Sequence, residues 1–121
     1  RRVAIWERYH AALSPLAAVG GVRLPSVPAE CQHNGHIYFM VFDDLDLKAR
    51  AQKVLSDQGI SAPAHYVPLH SSPGGLRFGR VAGPMNVTDE AGAGLLRLPT
   101  YAHMTSAEQD SVIEAMLSIS R

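Results

Sequence analysis

Apolar side chains recur at helical spacing from the start of the chain, with Trp6, Tyr9, Leu13 and Leu16 on one face. The spacing predicts a helix from about Arg2 to Ala18, stopped by Gly20 and Gly21. "VRLPSVPAECQHNG" follows; its two prolines and turn residues read as an extended connector. "HIYFMVF", residues 36–42, is almost wholly apolar, which predicts a strand covered on both faces. Asp43, Asp44 and Asp46 can cap a second helix, in which Leu47, Ala51, Val54 and Leu55 share a face. That helix should end at "DQGI", where Gly59 can turn left-handed and Ile60 can fold back on the last turn.

A second strand is expected at about Ser61 to Leu69. It would be an edge or irregular strand, because Pro63 and Pro68 have no N–H to give a ladder. "HSSPGGLRFGRVAGPMN" reads as a long loop, and loops of that length in compact domains are functional or mobile. A short helix is expected from Thr88 to about Leu95, weakened by Gly92 and Gly94. "LRLPTY" reads as a short strand. "TSAE", residues 105–108, is a capping box opening a last helix with Val112, Ile113, Met116 and Leu117 at helical spacing. The order α-β-α-β-(α)-β-α predicts an α+β fold, a small sheet packed with helices.

A chain of 121 residues is one domain's worth, and 46% apolar with 18% charged residues is a globular balance. Eleven basic and eleven acidic side chains cancel, and no basic stripe appears, so nucleic-acid binding has no electrostatic footprint. No apolar run reaches the length of a membrane span. The single Cys31 cannot form an internal disulfide, which favours a reducing compartment, and a cytoplasmic location is expected. The opening "RRVAIWERYHAAL" is helical from its start, with no Met, no signal-type region and no cap. It reads as a cut helix, so the expectation is a piece of a longer protein.

Six histidines are the main chemical candidates, and "HYVPLH", residues 65–70, concentrates two of them with a tyrosine. Cys31, His33 and His36 lie close together, but Cys-x-His-x-x-His is not a strong zinc spacing, so no metal site is expected. Cys31 has His33 as a possible base, yet nothing marks the third group a catalytic thiol needs. Neither a GxSxG, a P-loop nor a GxGxxG is present. "SSPGG" is not followed by a helical pattern, which weakens it as a phosphate cradle. Lys48 and Lys53 both read as solvated charges on the second helix.

"RRVAIWERYHAAL", "LPSVP", "NGHIYFMVF", "LSDQGI", "HYVPLHSSPGG" and "LLRLPTYAHMTSAEQDSVIEAM" form an ordered series. In that order and spacing the chain resembles, over essentially its whole length, the C-terminal small domain of DegT-type sugar aminotransferases. These are pyridoxal-phosphate (PLP) enzymes of fold type I. "HYVPLHSSPGG" and "LLRLP" make it most similar to the dTDP-4-amino-4,6-dideoxygalactose transaminases within that family.

The resemblance implies a parent enzyme, a homodimer, that moves an amino group from glutamate to the C4 keto carbon of a dTDP-4-keto-6-deoxyhexose. Surface polysaccharide synthesis is one use of such an enzyme. It further implies that residues 1–121 are the small domain. The PLP-binding N-terminal domain would lie outside this chain, with the catalytic lysine in it. Neither Lys48 nor Lys53 matches the family's lysine motif, so the chain alone is expected to be inactive and to hold no PLP. In the family, the His-Tyr segment faces the cleft between domains, which makes His65, Tyr66 and His70 the candidate substrate-binding residues. The first helix and one sheet face are expected to meet the large domain, leaving Val3, Ile5 and Trp6 bare in this chain. A PLP-dependent sugar dehydratase of the same family and a non-catalytic sugar-nucleotide-binding module are the alternatives.

Overall fold

The computed structural model describes residues 1–119. Helix α1 runs Arg2–Val19 and stops where Gly20 and Gly21 take positive φ of 93° and 78°. Pro15 sits inside α1 and cannot donate to the Ala11 carbonyl four residues back. The Ser14 hydroxyl donates to that carbonyl instead, at 2.9 Å. The remaining elements are β1 (Val22–Arg23), β2 (Tyr38–Phe42), α2 (Leu45–Asp57), α3 (Pro73–Phe78), α4 (Asn86–Gly94), β3 (Leu95–Leu98) and α5 (Ser106–Ser118). A 3-10 turn at Leu69–Ser71 precedes α3.

The helix signals in the sequence act as expected. Asp44 caps α2, its carboxylate accepting from the Asp46 N–H at 2.8 Å. At the other end Gly59 has φ 72°, and the Ile60 N–H closes back on the Leu55 carbonyl at 2.9 Å. Thr105 and Glu108 form the reciprocal capping box at the start of α5. The Thr105 N–H and hydroxyl hold the Glu108 carboxyl below its usual range.

The sheet has the order β1-β2-β3, antiparallel throughout. Tyr38 lies opposite Leu98, Met40 opposite Leu96, and Val22 opposite Phe42, so these six share one face. They form a single core with Tyr9 and Leu13 of α1, Ala51 and Leu55 of α2, and Val112 and Met116 of α5. Across the seam between α1 and α5, Arg8 reaches Asp110 and the Ser106 carbonyl, while the buried Gln109 amide donates to the Ile5 carbonyl at 2.7 Å. On the other face of β2, Val41 is also buried. The backbone there approaches so closely that a Cβ on Gly94 would overlap the Phe42 carbonyl oxygen. The α+β architecture is therefore the one the pattern predicts.

Four expectations are corrected. No strand forms over 61–69. One backbone bond, from the Arg97 N–H to the Pro63 carbonyl at 3.1 Å, joins this segment to the edge of β3. Pro63 and Pro68 cannot return a donor, so the ladder does not propagate. The loop after His70 contains a helix, α3, capped by Ser72 with Pro73 in its first turn. Trp6 and Ile5 are buried, not bare. Trp6 stacks on His10 with centroids 4.9 Å apart and meets His33 at 4.4 Å and Tyr38 at 5.4 Å. Lys48 is buried, not solvated, and its ammonium donates to the Ala93 carbonyl near the end of α4. Lys53 is on the surface as expected, paired with Asp57 at 2.9 Å one turn on.

Candidate functional site

From Pro63 to Thr88 the chain leaves the core and returns, forming a lobe beside β3 and α4. None of its side chains is buried. Its shape comes from local chemistry. The Ser72 hydroxyl accepts from the Gly75 N–H at 3.0 Å and donates to the Leu69 carbonyl at 2.8 Å. This folds the turn at Leu69–Ser71 tightly onto α3, so that a Cβ on Gly75 would overlap the Leu69 carbonyl. Only glycine permits that approach.

Helix α4 fixes the lobe to the domain. His70 Nε2 meets Asp89 Oδ1 at 2.8 Å, with the imidazole mostly covered. Pro68 lies on Gly92, where a Cβ would come within 2.8 Å of the proline ring. The Lys48 bond to Ala93 then ties the far end of α4 to α2. A cationic group beside the last carbonyls of a helix is favourable on its own account.

A cleft of about 770 Å³ opens in the lobe, lined among others by Leu69, His70, Leu76, Phe78, Arg80 and Met85. The structure thus brings His70 to the cleft wall. His65 and Tyr66 stand outside that lining, exposed, edge to face with centroids 4.9 Å apart. The three candidates are therefore one cleft residue and an adjacent exposed pair. No acidic residue occurs between His65 and Thr88, whereas Arg77 and Arg80 do. Imidazole, phenol and guanidinium groups on one lobe suit a ligand rich in hydroxyls and phosphate oxygens. Asp89, Arg77 and Arg80 were not singled out from the sequence. The acid-free run from 65 to 88 was a readable signal for the two arginines. The pairing of Asp89 with His70 depends on the fold.

Three of the other histidines are engaged elsewhere. His10 and His33 pack on Trp6, and His33 Nδ1 accepts from the Gly35 N–H at 3.3 Å. Arg2 reaches both the Nδ1 and the carbonyl of His36. Cys31 is exposed. Among the described residues no group of three or more His, Cys, Asp or Glu is placed to hold a metal ion. Among the described residues no helix is long and apolar enough to cross a membrane.

A covalently held PLP needs a lysine amine free to reach a cleft. Lys48 is buried in the α2–α4 seam with its ammonium bonded, and Lys53 is paired with Asp57 on the surface. Neither lines the lobe cleft. The residues present do not fit the cofactor.

Residues 1–117 match the model of the DegT/DnrJ/EryC1/StrS aminotransferase family. Among solved structures, the chain is similar to the aminotransferase TlmJ from Streptoalloteichus hindustanus. The two are 25% identical, with a TM-score of 0.82, over 98% of this chain and 31% of that one. It is similar also to a DegT DnrJ EryC1 StrS aminotransferase from Brucella abortus, at 26% identity and a TM-score of 0.77, over 97% and 30% of the two chains. The fold recurs in ntda from Bacillus subtilis with bound cofactor PMP, at 23% identity and a TM-score of 0.80, over 98% and 27%. The chain spans about a third of the length of these proteins. With its sheet and lobe inside the matched region, the chain belongs to the DegT/DnrJ/EryC1/StrS aminotransferase family.

Proposed function

We propose that this chain is the C-terminal small domain of a PLP-dependent nucleotide-sugar aminotransferase. The whole enzyme, a cytoplasmic homodimer, would transfer an amino group from glutamate to a dTDP-4-keto-6-deoxyhexose. The product would be of the dTDP-4-amino-4,6-dideoxygalactose type. The observation that carries this reading is the family match across residues 1–117 in a chain whose two lysines are both committed elsewhere. PLP, when bound in the larger domain, supplies the electron sink for amino transfer. This chain's part is substrate binding. His65 and Tyr66 would hydrogen-bond sugar hydroxyls or diphosphate oxygens, and His70, held by Asp89, would orient the turn that presents them.

Replacing His65 with Ala in the full-length polypeptide tests the reading. A hydrogen bond to a charged oxygen contributes roughly 1.5–3 kcal/mol, so use of the sugar nucleotide should fall about ten- to a hundredfold. The glutamate half-reaction, followed by the cofactor absorbance, should be unchanged. Equal loss in both halves would mean that His65 serves the cofactor site or the fold.

A second expected result concerns the chain on its own. Incubated with PLP, reduced with borohydride and digested, it should show no stoichiometric adduct at one lysine. A single fully modified site at Lys48 would show that the seam opens and that this chain carries a cofactor lysine.

A further inference from the structure

Arg97 lies in β3, the edge strand of the sheet, opposite Phe39 of β2. Its neighbours Leu96 and Leu98 point into the core, so its own side chain is on the other face of the sheet, with Phe39 and Val41. The strand there holds the chain that leads into the candidate site. The Arg97 N–H donates to the Pro63 carbonyl at 3.1 Å, and Nη2 reaches the Ala64 carbonyl at 3.5 Å. That second carbonyl belongs to the peptide bond with His65. The guanidinium therefore stands at the root of the His65–Tyr66 pair.

Most of its bonding capacity is unused. A guanidinium has five N–H donors, and this one makes a single long bond to a neutral carbonyl. Nε is buried without an acceptor, while the Nη2 end lies at the surface. Among the described residues no carboxylate pairs with it, whereas Arg8 has Asp110 and Arg23 has Asp43. A cation that loses water without gaining an anion is unfavourable. The adjoining lobe is of one sign, with Arg77 and Arg80 and no acidic residue from His65 to Thr88.

We infer that Arg97 is a specificity-determining residue whose guanidinium takes the diphosphate of the nucleotide sugar. This rests on the reading above that the substrate is a nucleotide sugar. Phosphate oxygens at the terminal nitrogens make the parallel bonds that guanidinium geometry favours. The guanidinium charge is delocalised, so that anion also offsets the cost at the buried Nε. The positive lobe beside it favours a polyanion over a single carboxylate. His65 and Tyr66, next along the chain, are left to the sugar hydroxyls. The diphosphate then lies toward β3 and the sugar toward the lobe.

The test uses the full-length polypeptide with PLP, and two variants of it. Arg97→Met keeps an apolar stem and removes the charge; Arg97→Lys keeps the charge and removes the fork. Equilibrium dialysis measures binding of dTDP and of thymidine, which has no phosphate. The inference predicts dTDP binding about ten- to a hundredfold weaker in Arg97→Met, a smaller loss in Arg97→Lys, and thymidine unchanged in both. With the sugar nucleotide, KM should rise by the same factor at constant kcat. The glutamate half-reaction should match that of the unmodified protein, which also shows that both variants are folded. Equal dTDP affinity in Arg97→Met overturns the inference. A parallel loss of thymidine overturns it too, and makes Arg97 a positioning residue that acts through the Ala64 peptide. Loss confined to the glutamate half-reaction overturns it and gives the guanidinium to the donor carboxylate. An unmodified protein that binds no dTDP and forms no amino sugar sinks the nucleotide-sugar reading and this inference together. One that does both, matched by Arg97→Met, sinks the role of Arg97 alone.

Discussion

Replacing Phe42 with Ala is expected to lower the unfolding free energy by about 3–5 kcal/mol, the range for a large aromatic removed from a packed core. Phe42 is 2% exposed and ends the central strand. Its ring belongs to the cluster that joins α1, α2 and α5 to the sheet, and its carbonyl lies against Gly94. The truncation therefore leaves a void in that cluster, and the close pass of Gly94 on the Phe42 carbonyl limits how far β2 can shift to fill it. Small domains have only about 5–15 kcal/mol in total, so the variant should be near its threshold at 37 °C. Urea unfolding followed by Trp6 fluorescence measures it, since that ring is buried against His10 and Tyr38. A loss under about 1 kcal/mol would mean that the site collapses freely and that the core is not packed as described.

Alkaline pH should destabilise the domain steeply, beginning near pH 10. The phenols of Tyr9 and Tyr38 are pushed well above their ordinary value of 10.0. Burial is the main cause for both; at Tyr9 the charge of Tyr101 adds to it and Arg8 opposes it. The unfolded chain loses these protons near pH 10, while the folded chain keeps them. The unfolded state then binds fewer protons than the folded one, so stability falls as pH rises. Each phenol contributes about 1.4 kcal/mol per pH unit in that window, or about 2.7 kcal/mol for the pair. Below pH 10 the two contribute no pH dependence.

Tyr38→Phe isolates one half of the effect. The Tyr38 hydroxyl is buried without a hydrogen-bond partner, so its removal loses no bond and should raise stability at neutral pH by about 1 kcal/mol. The alkaline slope should fall by half. Urea unfolding of both proteins across this range is the measurement. An unchanged slope in the variant would place the alkaline transition in other groups. Tyr9 is the less clean probe, because its hydroxyl donates to the Pro99 carbonyl at 3.1 Å.

What could be read from the sequence was what short-range chemistry decides. The spacing of Trp6, Tyr9, Leu13 and Leu16, the carboxylate of Asp44, the glycine at 59 and the Thr105–Glu108 box each act within a few residues. Each appears where the pattern put it. Helix α3 was equally local, since Ser72 and Pro73 are a cap and a first-turn proline, but Gly74 and Gly75 masked the signal. Gly75 is there for the close pass of Leu69, a contact no propensity reports. The other departures are tertiary. Lys48 is buried because α4 arrives over α2, and Trp6 because His33 and Tyr38 come to it from 27 and 32 residues away. At the candidate site the residue types were legible at 65, 66 and 70. The division into one cleft residue and an exposed pair was not, because Asp89 and α4 decide it.

The central claim is that this chain serves a nucleotide-sugar aminotransferase, and the most direct test is the product made by the full-length polypeptide. With PLP, glutamate and a dTDP-4-keto-6-deoxyhexose, mass spectrometry should show the sugar nucleotide with an amine in place of its ketone, and 2-oxoglutarate formed in equal amount. A sugar product that has lost a hydroxyl instead, with no amine gained, would contradict the account and mark the protein as a dehydratase.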